Sequence, residues 1–420
     1  MATRPTRPVR PARRARHRAR LVRRGLTACV AALAAALTAV PHAGASVPYG
    51  DAAEPDRPRA FAHPGVLLDR AQLDALRSHV RSGKEPWASA YRAMNASRYA
   101  QPDYRPRPVA VVACKPYQNP PACTAEREDA VAAYTQALLW SATGKRAHAE
   151  KAVQIMDAWS RVLRDHTEGN AGLQAAWAGS TWARAAEIVR HTYDGWPKER
   201  VARFSGMLRH AYLGEFDAKV ADYNGNWDLT MTDAALAVGV FLDDREVFDR
   251  ALARFRARVP AYFYLRSDGP LPVAPPGGSA DTPEKIRAYW FGQRHFVDGL
   301  GQESCRNFEH VGYALAATAH TAETAHHQGV DLYGEVRERL RAAVELHAEY
   351  QLGGAVPSWL CGGKPELTLG PDLEVTLNHL KNRLGVPVPY TERLAERTRP
   401  AGTDDLFVAW ETLTHADSPG

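Results

Sequence analysis

The first 45 residues of this 420-residue chain contain no aspartate, glutamate or lysine. They hold ten arginines, and these explain the formal charge of +6: without them 43 basic residues stand against 47 acidic ones, and the remainder carries about −4. Past residue 45 there is no basic stripe for nucleic acid. The apolar run Leu26–Val40 has fifteen residues, short of the roughly 20 that a spanning helix needs. A glycine-rich phosphate loop and a GxSxG elbow are both missing, which argues against phosphate-loop and α/β-hydrolase chemistry. The five cysteines include no CxxC pair, which argues against a zinc site built on them. Strand patterns are scarce, and no fixed-period repeat marks a regular solenoid.

What is present begins with an export signal. An arginine-rich start, the apolar run and the small-x-small site Ala43-Gly44-Ala45 predict release of a secreted chain near Ser46. Residues 46–60 then read as a linker or arm rich in Pro, Asp and Arg, and 61–420 as one catalytic domain. No stable membrane association is expected once the signal is gone. Four cysteines remain, and in an exported protein an even number predicts disulfides. Cys114 with Cys123 would close a short proline-stiffened loop, leaving Cys305 for Cys361.

From about Asp69 the apolar residues recur three and four apart, the period of helices. They fall into pairs broken at Thr143-Gly144, Gly195-Trp196-Pro197, Asp243-Asp244 and near Gly329. Successive antiparallel hairpins without a strict repeat predict an all-α fold, an incomplete (α/α) toroid. Its inner helices would carry Trp177, Trp182 and Trp227, with Trp177 able to stack on a sugar ring. One long Pro/Gly connection, Leu265–Lys285, is expected to be functional, as a lid for instance.

Two segments carry candidate chemistry. In Asn224-Gly225-Asn226-Trp227, one asparagine suffices to cap the following helix, and the second is available to receive a carboxylate at the helix N-terminus. In Gln302-Glu303-Ser304-Cys305-Arg306-Asn307-Phe308-Glu309-His310, a helix starting near Ser304 would put Arg306 and His310 on one face. An arginine clamps a carboxylate, and a neutral histidine takes a proton. The rival reading is a surface ion-pair ladder. His320, His326 and His327 are read as helix-end histidines, not metal ligands; no metal or cofactor is expected.

NGNW before an apolar helix, ESCRNFEH followed by GYAL, AHHQGVDLY, the CGG after PSWL, LEVTLNHLKNRLG and the terminal WETLTHA together resemble the alginate lyase superfamily of bacterial polysaccharide lyases, from about Phe61 to His415. The resemblance implies an α/α toroid that cleaves an anionic uronic-acid polysaccharide by β-elimination. It implies Asn226 and Arg306 as the carboxylate receptor, with Gln302 or Glu303 helping, His310 as base, and a tyrosine as acid: Tyr289 first, then Tyr223 or Tyr313. Asn224, Trp227, Trp177 and Arg294 would bind substrate. Family members carry Asn-His at the first motif where this chain has Asn226-Trp227, so alginate and another polyuronate such as glucuronan both remain open as substrate. The alternatives are a glycoside hydrolase using Asp233 and Glu303, and a non-catalytic sugar-binding scaffold.

Overall fold

The computed structural model describes residues 60–218, 224–278 and 280–419. The leader, nearly all of the arm, and Tyr223 lie outside the described residues. Helices α1 (Arg70–Ser82), α2 (Trp87–Ala96), α3 (Pro121–Thr143), α4 (Arg146–Val162), α5 (Ala171–Thr192), α6 (Lys198–Met207) and α7 (Leu213–Phe216) make up the first half. The second half has α8 (Gly225–Phe241), α9 (Arg245–Tyr262), α10 (Pro283–Tyr289), α11 (Phe308–His327), α12 (Leu332–Gln351), α13 (Glu374–Leu377), α14 (Pro389–Thr398) and α15 (Glu411–His415).

Local chemistry sets the boundaries. Asp69 and Gln72 form a reciprocal capping box at the start of α1. Gly144, at φ 69°, ends α3 in the left-handed conformation that costs glycine least. Asp244 and Asp331 accept backbone N–H groups at the starts of α9 and α12. The hairpins α3/α4, α8/α9 and α11/α12 break where the sequence breaks were read; the chain also turns between α5 and α6 as expected, but α6 packs mainly on α4 and not on α5.

Helices α3, α5, α8 and α11 pack each against the next, while α4, α9 and α12 each lie against their own hairpin partner. From α11 the contacts pass through α13 and α15 to α1, which packs on α3. The inner helices are buried almost all round, which is why they read as Ala-rich and carry little amphipathic pattern. Several charged groups inside the ring are paired across helices. Arg184 on α5 bonds Asp233 on α8 at 2.7 Å and the Phe407 carbonyl at 2.6 Å, and His320 on α11 lies 2.6 Å from Glu411 on α15. His320 therefore sits in the buried interior, well before the last turn of α11, because its ring completes this network.

Two short sheets complete the fold. β1 (Gly65–Val66) pairs antiparallel with β2 (Leu68–Asp69), and β3 (Val111–Ala113) pairs parallel with β4 (Asp165–Thr167). Cys114–Cys123 and Cys305–Cys361 are both disulfide-bonded. The Pro/Gly connection is pinned at its start by Arg339, which donates two bonds to Asp268 at 2.7 and 2.8 Å. No helix among the described residues is long and apolar enough to cross a membrane.

Candidate active site

A cavity of about 910 Å³ opens where α5, α8 and α11 begin. Gly172, Leu173 and Trp177 come from the start of α5, Asn226, Trp227 and Met231 from α8, and Glu309, His310 and Tyr313 from α11. Three helix N-termini thus face one space, and their dipoles favour an anion there. The lip is made by Pro116 and Tyr117 in the Cys114–Cys123 loop and by Glu168–Asn170 after β4. Behind β4, buried His166 lies 2.8 Å from Glu126, which also accepts the Tyr212 hydroxyl at 2.5 Å.

The floor is organised by one carboxylate. Glu303 is fully buried and accepts the Asn226 backbone N–H at 3.1 Å, the Asn226 side-chain amide at 2.6 Å and the Tyr262 hydroxyl at 3.0 Å. Its other oxygen takes Arg306 Nη1 at 2.9 Å, leaving the rest of the partly exposed guanidinium at the cavity. Gly225 is required beside it, since a Cβ there would come within 2.5 Å of the Tyr262 ring and 2.8 Å of Gln302.

Residues 302–307 form turns, so the helix expected from Ser304 starts later, at Phe308. The cause is Asn307, whose side-chain oxygen accepts the His310 N–H at 3.0 Å and caps the helix, while the Phe308 N–H bonds the Glu366 carbonyl. Arg306 and His310 still line the same cavity. The Asn307 oxygen also lies 2.5 Å from His310 Nδ1. That contact assigns the Nδ1 proton to the asparagine and leaves Nε2 as the acceptor. Burial, with repulsion from Arg306, lowers the His310 pKa to about 4, so the ring is neutral at neutral pH. Tyr313 stands 5.6 Å from it, edge to face, and burial followed by the charge of Glu309 holds its phenol protonated far above the usual range.

Other expected residues fall differently. Asn224 and Trp227 line the cavity, and the Asn224 side chain makes no capping bond. Gln302 is buried and donates to the Tyr289 carbonyl. Tyr289 is buried behind the cavity, its hydroxyl 3.0 Å from Arg258, and does not line the cavity, because α10 turns its ring toward α9. Arg294 borders a separate shallow pocket with His295 and Trp359. Among the described residues of the 265–285 connection none lines the cavity. Asp233 is consumed by Arg184 inside the ring, so it does not pair with Glu303 across a substrate. Tyr117, Phe291 and Leu406 line the cavity and were missed by periodicity, since none belongs to a helix; for Tyr117 the short Cys-to-Cys loop was the only signal.

The all-α scaffold thus brings amide, guanidinium, imidazole and phenol groups together at one cavity. The family model described as alginate lyase matches residues 76–273, a stretch that includes Asn226 and stops before Arg306. That match spans a little under half of the chain, and the solved structures below share its fold. Alginate lyase A1-III from Sphingomonas species A1 is 18% identical, with a TM-score of 0.56 over 84% of this chain and 97% of its own. A histidine-to-alanine variant of A1-III complexed with tetrasaccharide gives 18% identity and 0.58 over 84% and 96%. A tyrosine-to-phenylalanine variant, also complexed with tetrasaccharide, gives 19% and 0.55 over 84% and 99%. No curated protein matches the chain by sequence.

Proposed function

We propose that the protein is an exported lyase that cleaves an anionic polyuronate, alginate or a relative such as glucuronan, by β-elimination. The observation that carries this is the convergence of Asn226 and Arg306 on one buried carboxylate, beside a neutral His310 and a protonated Tyr313. The proton at C5 of a uronate is too weakly acidic for a side-chain base until the adjacent carboxylate is neutralised and the resulting dianion stabilised. Arg306, the Asn226 amide and the α8 N-terminus supply that stabilisation. His310 Nε2 takes the C5 proton, the electron pair forms C4=C5, and the C4–O4 bond breaks as Tyr313 gives its proton to O4. Solvent then returns the proton from His310 to the tyrosinate. A substrate carboxylate on Arg306 offsets the repulsion that depresses His310, so the base strengthens when substrate binds. Trp177 and Trp227 offer ring faces to sugars along the groove.

The test is incubation of the purified protein with a panel of polyuronates. A lyase generates ultraviolet absorbance from the conjugated C4=C5 bond in step with new reducing ends. Reducing ends without that absorbance would make the enzyme a hydrolase and overturn the reading.

A further inference from the structure

The far end of α5 carries a second group of ionisable side chains that the proposed reaction does not use. Glu187 and His191 lie one turn apart on α5, and the segment ahead of β1 brings His63 against them. His63 Nδ1 is 3.0 Å from Glu187 Oε2, and His191 Nε2 is 3.5 Å from Glu187 Oε1. The three ligand atoms lie within 4.8 Å of one another, the one such group of His, Cys, Asp or Glu among the described residues. Two imidazoles thus face one carboxylate that is itself fully buried, and the buried Nε2 of His191 has no hydrogen-bond partner.

We propose that His63, Glu187 and His191 bind a divalent transition-metal ion, zinc by preference, which fastens the start of the domain to α5. Two imidazole nitrogens and one carboxylate oxygen suit zinc, whose bonds of about 2.0–2.2 Å put neighbouring ligand atoms of a tetrahedron about 3.3 Å apart. The pairs at 3.0 and 3.5 Å bracket that spacing. An outer shell is already built: Asp243 Oδ1 lies 3.0 Å from His63 Nε2, and the Gly65 N–H donates to Glu187 Oε2 at 3.1 Å. A carboxylate on the far ring nitrogen is the usual partner of a ligating histidine. Arg190, 3.5 Å from Asp243 and balanced by that carboxylate, and Arg70, which donates to the His191 carbonyl at 2.8 Å, are nearby cations. The two rings are parallel and 4.4 Å apart, so binding tilts them toward each other and displaces the proton on His63 Nδ1. Partial exposure of both rings leaves water the fourth position. Glu187 is about 15 Å along α5 from the cavity residue Trp177, so the ion serves structure and not the elimination.

The purified protein is stripped with chelator, loaded with zinc chloride, dialysed and analysed for metal and for thermal unfolding. Wild type is expected to retain about one equivalent of zinc and to gain about 2–5 °C in Tm at tenth-millimolar zinc. His191→Gln and His63→Gln, each checked for an unchanged circular dichroism spectrum, are expected to lose both effects. Failure of the wild type to retain zinc overturns the site. Equal retention by His191→Gln also overturns it and directs attention to His326, His327 and His379.

Discussion

At the scale of single residues, Glu303 decides how the others act. A buried carboxylate with four donors fixes the Asn226 amide and one edge of Arg306, so both meet substrate without reorganising. In the proposed reaction His310 and Tyr313 carry the proton transfers, while Tyr289 is held on Arg258. His310→Ala and Tyr313→Phe are each expected to lower kcat by about 10²–10⁴-fold with little change in KM, whereas Tyr289→Phe keeps turnover near wild type. Steady-state absorbance assays on the three variants check this, and equal losses in all three would return Tyr289 to the mechanism. Because His310 titrates near pH 4 in the free enzyme, kcat/KM holds as pH falls from 7 and declines only as the ring protonates. The grouping of these residues, not their roles, was legible beforehand: Asn226, Arg306 and His310 stood out because amide, guanidinium and imidazole were clustered next to apolar helices. The choice among tyrosines was not, since Tyr289 and Tyr313 differ only in which side of the fold their helices present.

At the scale of elements, the turn 302–307 matters more than a helix there would. A helix would have pointed Glu303 and Arg306 along one stripe. The turn, stopped by the Asn307 cap, sends Glu303 inward to α8 and leaves Arg306 at the groove. The Cys305–Cys361 disulfide holds that turn next to Arg306 and closes a 56-residue separation. The Cys305→Ser/Cys361→Ser double variant is therefore expected to lose about 2–4 kcal/mol of stability in urea unfolding. It should also lose kcat, while Cys114→Ser/Cys123→Ser, which frees the Tyr117 lip, mainly raises KM. Identical kinetic effects from the two pairs would refute this division. Both pairings were readable from cysteine arithmetic, but the capped turn was not, because Ser304 and Asn307 are both competent N-caps and only the packing of Phe308 selects between them.

At the scale of the whole molecule, charge and proton binding behave differently from what the composition suggests. The chain past the leader is mildly acidic, so under the proposed function attraction to a polyanion would rest on Arg306 and on the three inner-helix N-termini that face the groove. Burial holds His310, His347 and His379 neutral, with pKa values lowered to about 4, and lowers His415 to about 3. Burial also raises Asp372 to about 7 and Asp404 to about 6. Between pH 6 and 4 the unfolded chain therefore binds protons on four histidines that the fold excludes, and the fold keeps protons on two carboxyls that the unfolded chain has released. Unfolding takes up protons on balance, so stability falls with pH. Thermal unfolding at pH 6, 5 and 4 should show Tm dropping by about 3–5 °C per pH unit; a flat or rising profile would contradict these burial effects.

The sequence by itself determined the helical hairpins, their breaks, the cysteine pairs and the two polar segments, because periodicity, caps and turn residues act within a few positions of one another. Only the tertiary structure decided that three helix N-termini share one groove, that Glu303 is a buried organiser, and that Tyr313 faces the groove while Tyr289 faces Arg258. It also joined His63 to Glu187 and His191. Those outcomes depend on which helices become neighbours in the ring, and that is fixed by packing between segments tens to hundreds of residues apart, which no local pattern records.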